Sequence, residues 1–495
     1  MATALSVTRQ VGGLSRDFTR WTSMRGVVPP LVLTVAVTLW SIAERPILAV
    51  TAVFLGWVGP GLISTSWARF WPRSYHRIVV APLQRRRWRK WARGSWPFVA
   101  RECGLSVQRE VKVHNWWNGQ NTTETRWTPP RLKEVKAEGY TLLLTIRART
   151  GQTARDIANQ AQAIGAAAQA ETVTARVLSP SVVRLHLVML DLLAGVRHSR
   201  KPVPEDTTPV IIGRSETSTP LAWDPTWCLH TAIQGATRSG KSALCYGYLA
   251  ALAMRRDVIV CGIDPTGILL TPFTHGRGGS WVVPTAKDGP RAVAVLDAIT
   301  DHMDARIQTF LAAGRDKIET FHESTPVVVV VLEEFPGLLS QLRKDDAREG
   351  RAVKDRCAPK VEAAVGRIIK EGAKAGVIAM VLGQRMSANA IDTDDRSNIP
   401  VRFTLRVDNG DAVRMLHDGI DTGDIEEVRQ FPPGRALYEA PGVPLQRVQA
   451  DFTTYDMYLA RVANGIAATY TITAFSPPAV VVPRPEPGSK GKAAS

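Results

Sequence analysis

Residues 227–254 read WCLHTAIQGATRSGKSALCYGYLAALAM, and within them Gly235, Gly240, Lys241 and Ser242 stand at the G-x-x-x-x-G-K-[ST] spacing of a phosphate loop. Each residue type has a task. The main chain of Gly235, Ala236, Thr237, Arg238, Ser239 and Gly240 turns N–H groups toward a polyphosphate. Lys241 reaches the β- and γ-phosphates, and the Ser242 hydroxyl holds Mg²⁺. Further on, Glu333 and Glu334 follow an unbroken apolar run, VVVVVL, at 327–332. Downstream of a phosphate loop, acids delivered by a strand have the character of a Walker B element. Glu333 would support the Mg²⁺ and Glu334 would polarise the attacking water. A second apolar run, 377–382, delivers Gly383, Gln384 and Arg385. Gln384 is a candidate sensor of the γ-phosphate, or a cap of the next turn. Asp264, before Pro265, either faces the ligand crevice or makes an Asp-Pro turn.

These side chains need a scaffold that brings several strand ends together. Residues 228–233 read as a strand and 242–254 as an Ala/Leu-rich helix, so the helix N-terminus points at the anion. Strands at 258–263, 327–332, 377–382 and 401–407 alternate with helices at 292–313 and 362–374, the pattern of an α/β doubly wound sheet with buried parallel strands. Ahead of this lies a smaller α/β unit, with strands at 140–147, 172–178 and 182–190 and an Ala/Gln-rich helix at 153–170. The stretch KPVPED, 201–206, reads as the linker between them.

The 495 residues carry a formal charge of +17 and a pI near 10, which points to an anionic partner, nucleic acid or a membrane surface. Five scattered cysteines without a C-x-x-C pair argue against zinc and against a disulfide framework. The runs 27–43 and 46–68 are uncharged and separated only by Glu44 and Arg45. Each is near the length that crosses a hydrocarbon core, and arginines flank the pair on both sides, so a transmembrane hairpin with both ends cytoplasmic is expected. The segment RRRWRKWAR, 85–93, fits anionic lipid headgroups beside such a hairpin, with DNA as the other candidate.

Taken in order, the motifs GATRSGKS, IDPTG, VVVVVLEEFPGLL, AKAGVIAMVLGQR and SNIPVRFTLRVDNGDAVRML resemble those of the FtsK/SpoIIIE family of DNA translocases over roughly residues 135–465. The resemblance implies a RecA-like P-loop ATPase domain, fuelled by ATP and Mg²⁺, that assembles as a homo-hexamer around double-stranded DNA. It also implies an arginine acting across the subunit boundary; Arg402 is the first candidate and Arg385 the second. The compact plan of one motor and a two-helix anchor resembles the conjugative TraB/TraSA-type proteins, which implies transfer of DNA between cells, a plasma-membrane location and other transfer proteins as partners. Chromosome segregation and type VII-like protein export are the alternatives. The expected organisation is a basic tail at 1–26, the hairpin at 27–68, a basic juxtamembrane linker at 69–134, the small α/β subdomain at 135–205, the motor at 206–465 and a Pro/Gly/Lys-rich tail at 466–495.

The chain departs from the family pattern at three places. Glu333 stands where Asp is usual, Thr266 replaces a Lys, and Met386 replaces a Pro. The longer Glu333 side chain pushes metal support outward or through a water. Beyond the strand at 445–453 only a short helix and the tail remain, leaving little room for the family's winged-helix module.

Overall fold

The computed structural model describes residues 64–114, 121–202, 208–217, 219–386, 391–420 and 422–469. Chain contacts divide the molecule into two units, 1–195 and 196–495. The expected hairpin at 27–68 lies outside the described residues except for 64–68, which are helical. Among the described residues no helix is long and apolar enough to cross a membrane.

In the first unit, β3 (Arg131–Glu138), β4 (Thr141–Arg147), β5 (Thr172–Ser179) and β6 (Val182–Val188) form an antiparallel sheet of order β3-β4-β6-β5. Alternation fixes its buried face: Leu142, Leu144 and Ile146 from β4 meet Val183, Leu185 and Leu187 from β6. The expected single helix is two, Ala154–Asn159 and Ala161–Ala168, started by a capping box in which Thr153 and Asp156 bond each other's main chain. The stretch expected as a basic linker is structured. Ala81–Glu102 is a helix whose Ala92, Trp96, Val99 and Ala100 join the same core, while Arg86, Arg89, Lys90 and Arg93 line its open side. β1 (Val107–His114) and β2 (Asn121–Thr128) follow as an antiparallel hairpin. The basic residues hid this helix because they occupy its outward face, leaving the apolar stripe short and rich in alanine and tryptophan.

The second unit is built on a ten-stranded mixed sheet of order β11-β10-β12-β13-β9-β14-β15-β16-β7-β8. Its parallel half contains β9 (Thr231–Gln234), β10 (Val258–Ile263), β11 (Val282–Val283), β12 (Val327–Leu332), β13 (Val377–Gly383) and β14 (Val401–Leu405). Its antiparallel half adds β15 (Arg435–Ala440), β16 (Val443–Ala450), β7 (Val210–Ser215) and β8 (Pro220–Trp223). Helices cover both faces. Val328, Val330 and Leu332 pack with Gly289–Ala312, Phe335–Arg348 and Cys357–Glu371. Val327, Val329 and Val331 face Lys241–Leu252 and Tyr455–Thr469. A strand buried on both sides has no polar alternation, which is why VVVVVL reads so clearly.

The start and end of this unit are joined. Arg197 makes a two-pronged pair with Asp451, at 2.7 and 2.9 Å, and Asp451 is 2% exposed. Ser199 Oγ lies 2.6 Å from Thr453 Oγ1, and β7 pairs with β16.

His230, 3% exposed, accepts the Ala379 N–H at its Nδ1 (3.0 Å), linking the approach to β9 with β13. Burial lowers its pKa from 6.5 to about 4, and that of His302 also to about 4. Between those values the unfolded chain binds more protons than the native one, so this contribution is complete above pH 6.5 and is lost as pH falls toward 4. For His230 the interval corresponds to about 3 kcal/mol. The urea midpoint should therefore fall between pH 7 and pH 4.5, and His230→Asn should flatten that fall.

Candidate active site

The phosphate loop hangs between strand ends. Gly235 N donates to Gly383 O at 3.2 Å and Ala236 N to Arg406 O at 2.8 Å, so β13 and β14 hold its entrance. A Cβ at Gly235 would lie 2.6 Å from Ser239 Oγ and 2.9 Å from Leu405 Cβ. Gly240 has φ +95°, and a Cβ there would lie 2.3 Å from Gly434 N, whose N–H donates to Ser239 O at 2.7 Å. Only glycine fits that cradle. The helix Lys241–Leu252 starts at Gly240 with no side-chain cap, leaving its first N–H groups for a ligand. The Ser239 hydroxyl is buried with no hydrogen-bond partner among the described residues. An orphan hydroxyl, a glycine cradle and an uncapped helix start fit a bound polyphosphate.

β12 ends at Leu332, and Glu334 takes a left-handed conformation (φ 46°, ψ 45°) that begins the next helix. This turn aims its carboxylate back at the loop. Lys241 Nζ donates to Glu334 Oε2 at 3.1 Å, and Gln384 N donates to Glu334 Oε1 at 3.3 Å. Three motifs far apart in sequence therefore converge on one carboxylate. The order β12-β13-β9 explains how, because the strand that delivers Gln384 lies between the other two. The Glu333 carboxyl is pushed up from its ordinary value, first by burial and then by Asp264 and Glu334, while Lys241 opposes the shift. Its Oε2 has no hydrogen-bond partner among the described residues, which fits a carboxylate that would hold a cation.

Asp264 is fully buried, and its oxygens accept Thr266 N (2.9 Å), Thr266 Oγ1 (2.8 Å), Leu269 N (2.7 Å) and Leu270 N (2.9 Å). Of its two sequence readings, the turn is the one present. Thr266 belongs to that turn. Ser242 is exposed on the first turn of the loop helix, and the Gln384 and Arg385 side chains are exposed beyond β13.

Arg402 is occupied within its own chain. Its guanidinium donates to Ile399 O, Leu416 O and Arg396 O at 2.9, 2.9 and 3.0 Å, and its side chain is 14% exposed. All three partners are main-chain carbonyls of its own chain, so Arg402 clamps residues 396–416. Arg402→Met should lower stability by about 2–4 kcal/mol by stranding carbonyls, as read by urea unfolding, with specific activity per folded molecule changed far less.

Sequence reasoning missed two groups. Arg406 reaches Thr237 O at 3.3 Å, and Pro433-Gly434 abuts the loop at Ser239 and Gly240. Pro-Pro-Gly at 432–434 signalled a turn, but nothing in linear spacing ties it to a loop about 190 residues earlier.

Residues 194–420 match the FtsK/SpoIIIE family, and residues 64–189 match the actinomycete conjugal transfer protein N-terminal domain. The chain carries an FtsK/SpoIIIE-family domain. DNA translocase SftA of Bacillus subtilis is 25% identical over 297 residues, 57% of this chain and 29% of that protein. DNA translocase FtsK of Sporosarcina ureae is 24% identical over 250 residues, 47% of this chain and 30% of that one. The chain thus spans about a third or less of the length of these relatives. Among solved structures, the pCW3 conjugation coupling protein TcpA aligns over 68% of this chain and 93% of its own, at 16% identity and a TM-score of 0.44. The FtsK/SpoIIIE match takes in the phosphate loop, Glu333, Glu334, Gln384 and Arg402; the amino-terminal match takes in the helix Ala81–Glu102 and the four-stranded sheet.

Proposed function

We propose that this chain is an ATP-driven translocase of double-stranded DNA, tethered to the plasma membrane and moving DNA between cells in conjugation. The observation that carries the ATPase part is the meeting of Lys241, Glu334 and the Gln384 N–H at one point beside the phosphate loop. The matches support DNA translocation and conjugation: the relatives are named DNA translocases, and the amino-terminal domain is named for conjugal transfer.

The main chain of residues 235–242, with Lys241, would hold the phosphates of ATP. Ser242 and Glu333 would hold Mg²⁺, which neutralises charge on the β- and γ-oxygens when bound. Glu334 takes the proton side of the chemistry, positioned by the Gln384 N–H and its left-handed turn. A homo-hexameric ring would place a neighbour's arginine beside this site, and the exposed Arg385 is then the better candidate of the two considered. The expected apolar hairpin at 27–68 supplies the tether, and the basic stripe Arg86, Arg89, Lys90 and Arg93 meets anionic headgroups beside it.

The test is ATP hydrolysis by the full chain, with and without long duplex DNA, across a salt series. Strong stimulation by duplex, falling steeply between about 50 and 200 mM salt, is the expected result. Stimulation only by a secretion-signal peptide would indicate protein export, and no hydrolysis at all would overturn the reading.

A further inference from the structure

A buried polar chain leads away from the catalytic carboxylate. Gln234 closes β9 with no exposed surface, one residue ahead of the phosphate loop. Its Nε2 donates to Thr404 Oγ1 at 2.9 Å and to Ala412 O at 2.7 Å, and its Oε1 accepts the Met386 N–H at 3.3 Å. Thr404, also fully buried, lies 2.9 Å from His417 Nε2, and His417 Nδ1 lies 2.9 Å from Glu439 Oε2.

Donor and acceptor counting gives this chain one direction. The ionised Glu439 carboxylate only accepts, so the neutral His417 imidazole donates to it from Nδ1 and accepts at Nε2 from the Thr404 hydroxyl, which takes the Gln234 Nε2–H on one of its lone pairs. His417 is thus the tautomer protonated on Nδ1. The bond from His417 is the main cause that holds the Glu439 carboxyl below its ordinary value. Arg402 Nη1 stands 3.8 Å from the same carboxylate and binds Leu416 O.

Apolar residues at 234, 404 and 417 would fill the same space without the cost of burying polar groups. What the polar chain adds is connection. Met386 is two residues past Gln384, whose N–H touches Glu334, and at the other end the chain grips helix Gly410–Leu416 and the residue that follows it. That helix presents Asp411 and Arg414 to solvent.

We propose that Gln234, Thr404 and His417 are positioning residues that carry nucleotide occupancy from the Glu334–Gln384 contact to helix Gly410–Leu416. The inference rests on reading the phosphate loop as a nucleotide site. A shared path becomes a coupling only when one end is shown to respond to the other.

The test is hydrogen exchange of residues 410–418 in the full chain, with and without ATPγS and Mg²⁺, for the wild type and for Thr404→Val. Binding of a fluorescent ATP analogue is measured in parallel. The nucleotide should change exchange at 410–418 by about fivefold or more in the wild type. Thr404→Val should abolish that change while its affinity for the analogue stays within about twofold, well below the effect of losing a direct contact. A wild type that binds without responding at 410–418, or a Thr404→Val chain that still responds, overturns the inference. A wild type that binds no nucleotide overturns the nucleotide reading instead. A second measurement needs no core variant: imidazole ¹⁵N shifts should show His417 protonated on Nδ1, with His417→Asn supplying the assignment. Protonation on Nε2 would break the proposed direction.

Discussion

Glu334→Gln lowers the maximal rate of ATP hydrolysis by about 10²–10⁴-fold and leaves nucleotide binding as tight as before or tighter. Glutamine keeps the shape of the side chain and a carbonyl oxygen for the Gln384 N–H. It loses the capacity to take a proton and the charge that engages Lys241 at 3.1 Å. That pair has 11% and 28% of its side chains exposed, so it is stronger than a surface ion pair and competes with the phosphates for the same ammonium. Removing it frees Lys241. Glu333→Gln should behave differently, raising the Mg²⁺ concentration needed for hydrolysis more than it weakens the affinity for nucleotide. Single-turnover hydrolysis and binding of a fluorescent ATP analogue separate the two. Turnover by Glu334→Gln within about tenfold of the wild type would remove Glu334 from the proton-transfer role.

Gly240→Ala should cost about 2–4 kcal/mol of stability and weaken ATP binding by more than about tenfold, equivalent to one lost charge-assisted contact. Two effects add. The backbone at φ +95° is unfavourable for any side chain, and the new methyl would meet main-chain atoms of Gly434 at 2.3 and 2.8 Å. Neither partner is a flexible side-chain end, so the loop itself must move and its N–H groups lose their aim. Gly442→Ala is the matched control: φ is +72° and nothing lies within 4 Å of the new Cβ. It should show only the conformational penalty, about 1 kcal/mol, with nucleotide binding unchanged. Urea unfolding and analogue binding read both effects.

How much was legible in the sequence follows from what each element buries. The parallel strands are covered on both faces, so 258–263, 327–332 and 377–383 announced themselves as apolar runs, and their boundaries differ from expectation by a residue at most. The strand before the loop was shorter than read: Pro225–Trp227 forms a turn, Cys228 sits at φ 51°, and β9 begins only at Thr231. β3 was hidden because RLKEVKAE exposes most of its charged residues. The antiparallel half of the motor sheet was read only in part, since PLAW and VIIGRS are brief and flanked by turn residues. In the site, residue type and spacing named Lys241, Glu334 and Gln384, which the strand order brings to one carboxylate. Roles set by tertiary hydrogen bonds were invisible, and Arg402 and Gln234 depend on main-chain partners that no linear pattern names.

The clasp between Arg197 and Asp451 decides how short an autonomous motor can be. A fragment beginning at 206, where the linker composition suggests a cut, would leave a carboxylate that is 2% exposed with Arg214 at 3.9 Å in place of the two-pronged Arg197 pair, and would strip Thr453 of Ser199. A fragment beginning at 196 keeps both, so the practical amino terminus for crystals or single-motor assays lies upstream of the proline-rich stretch.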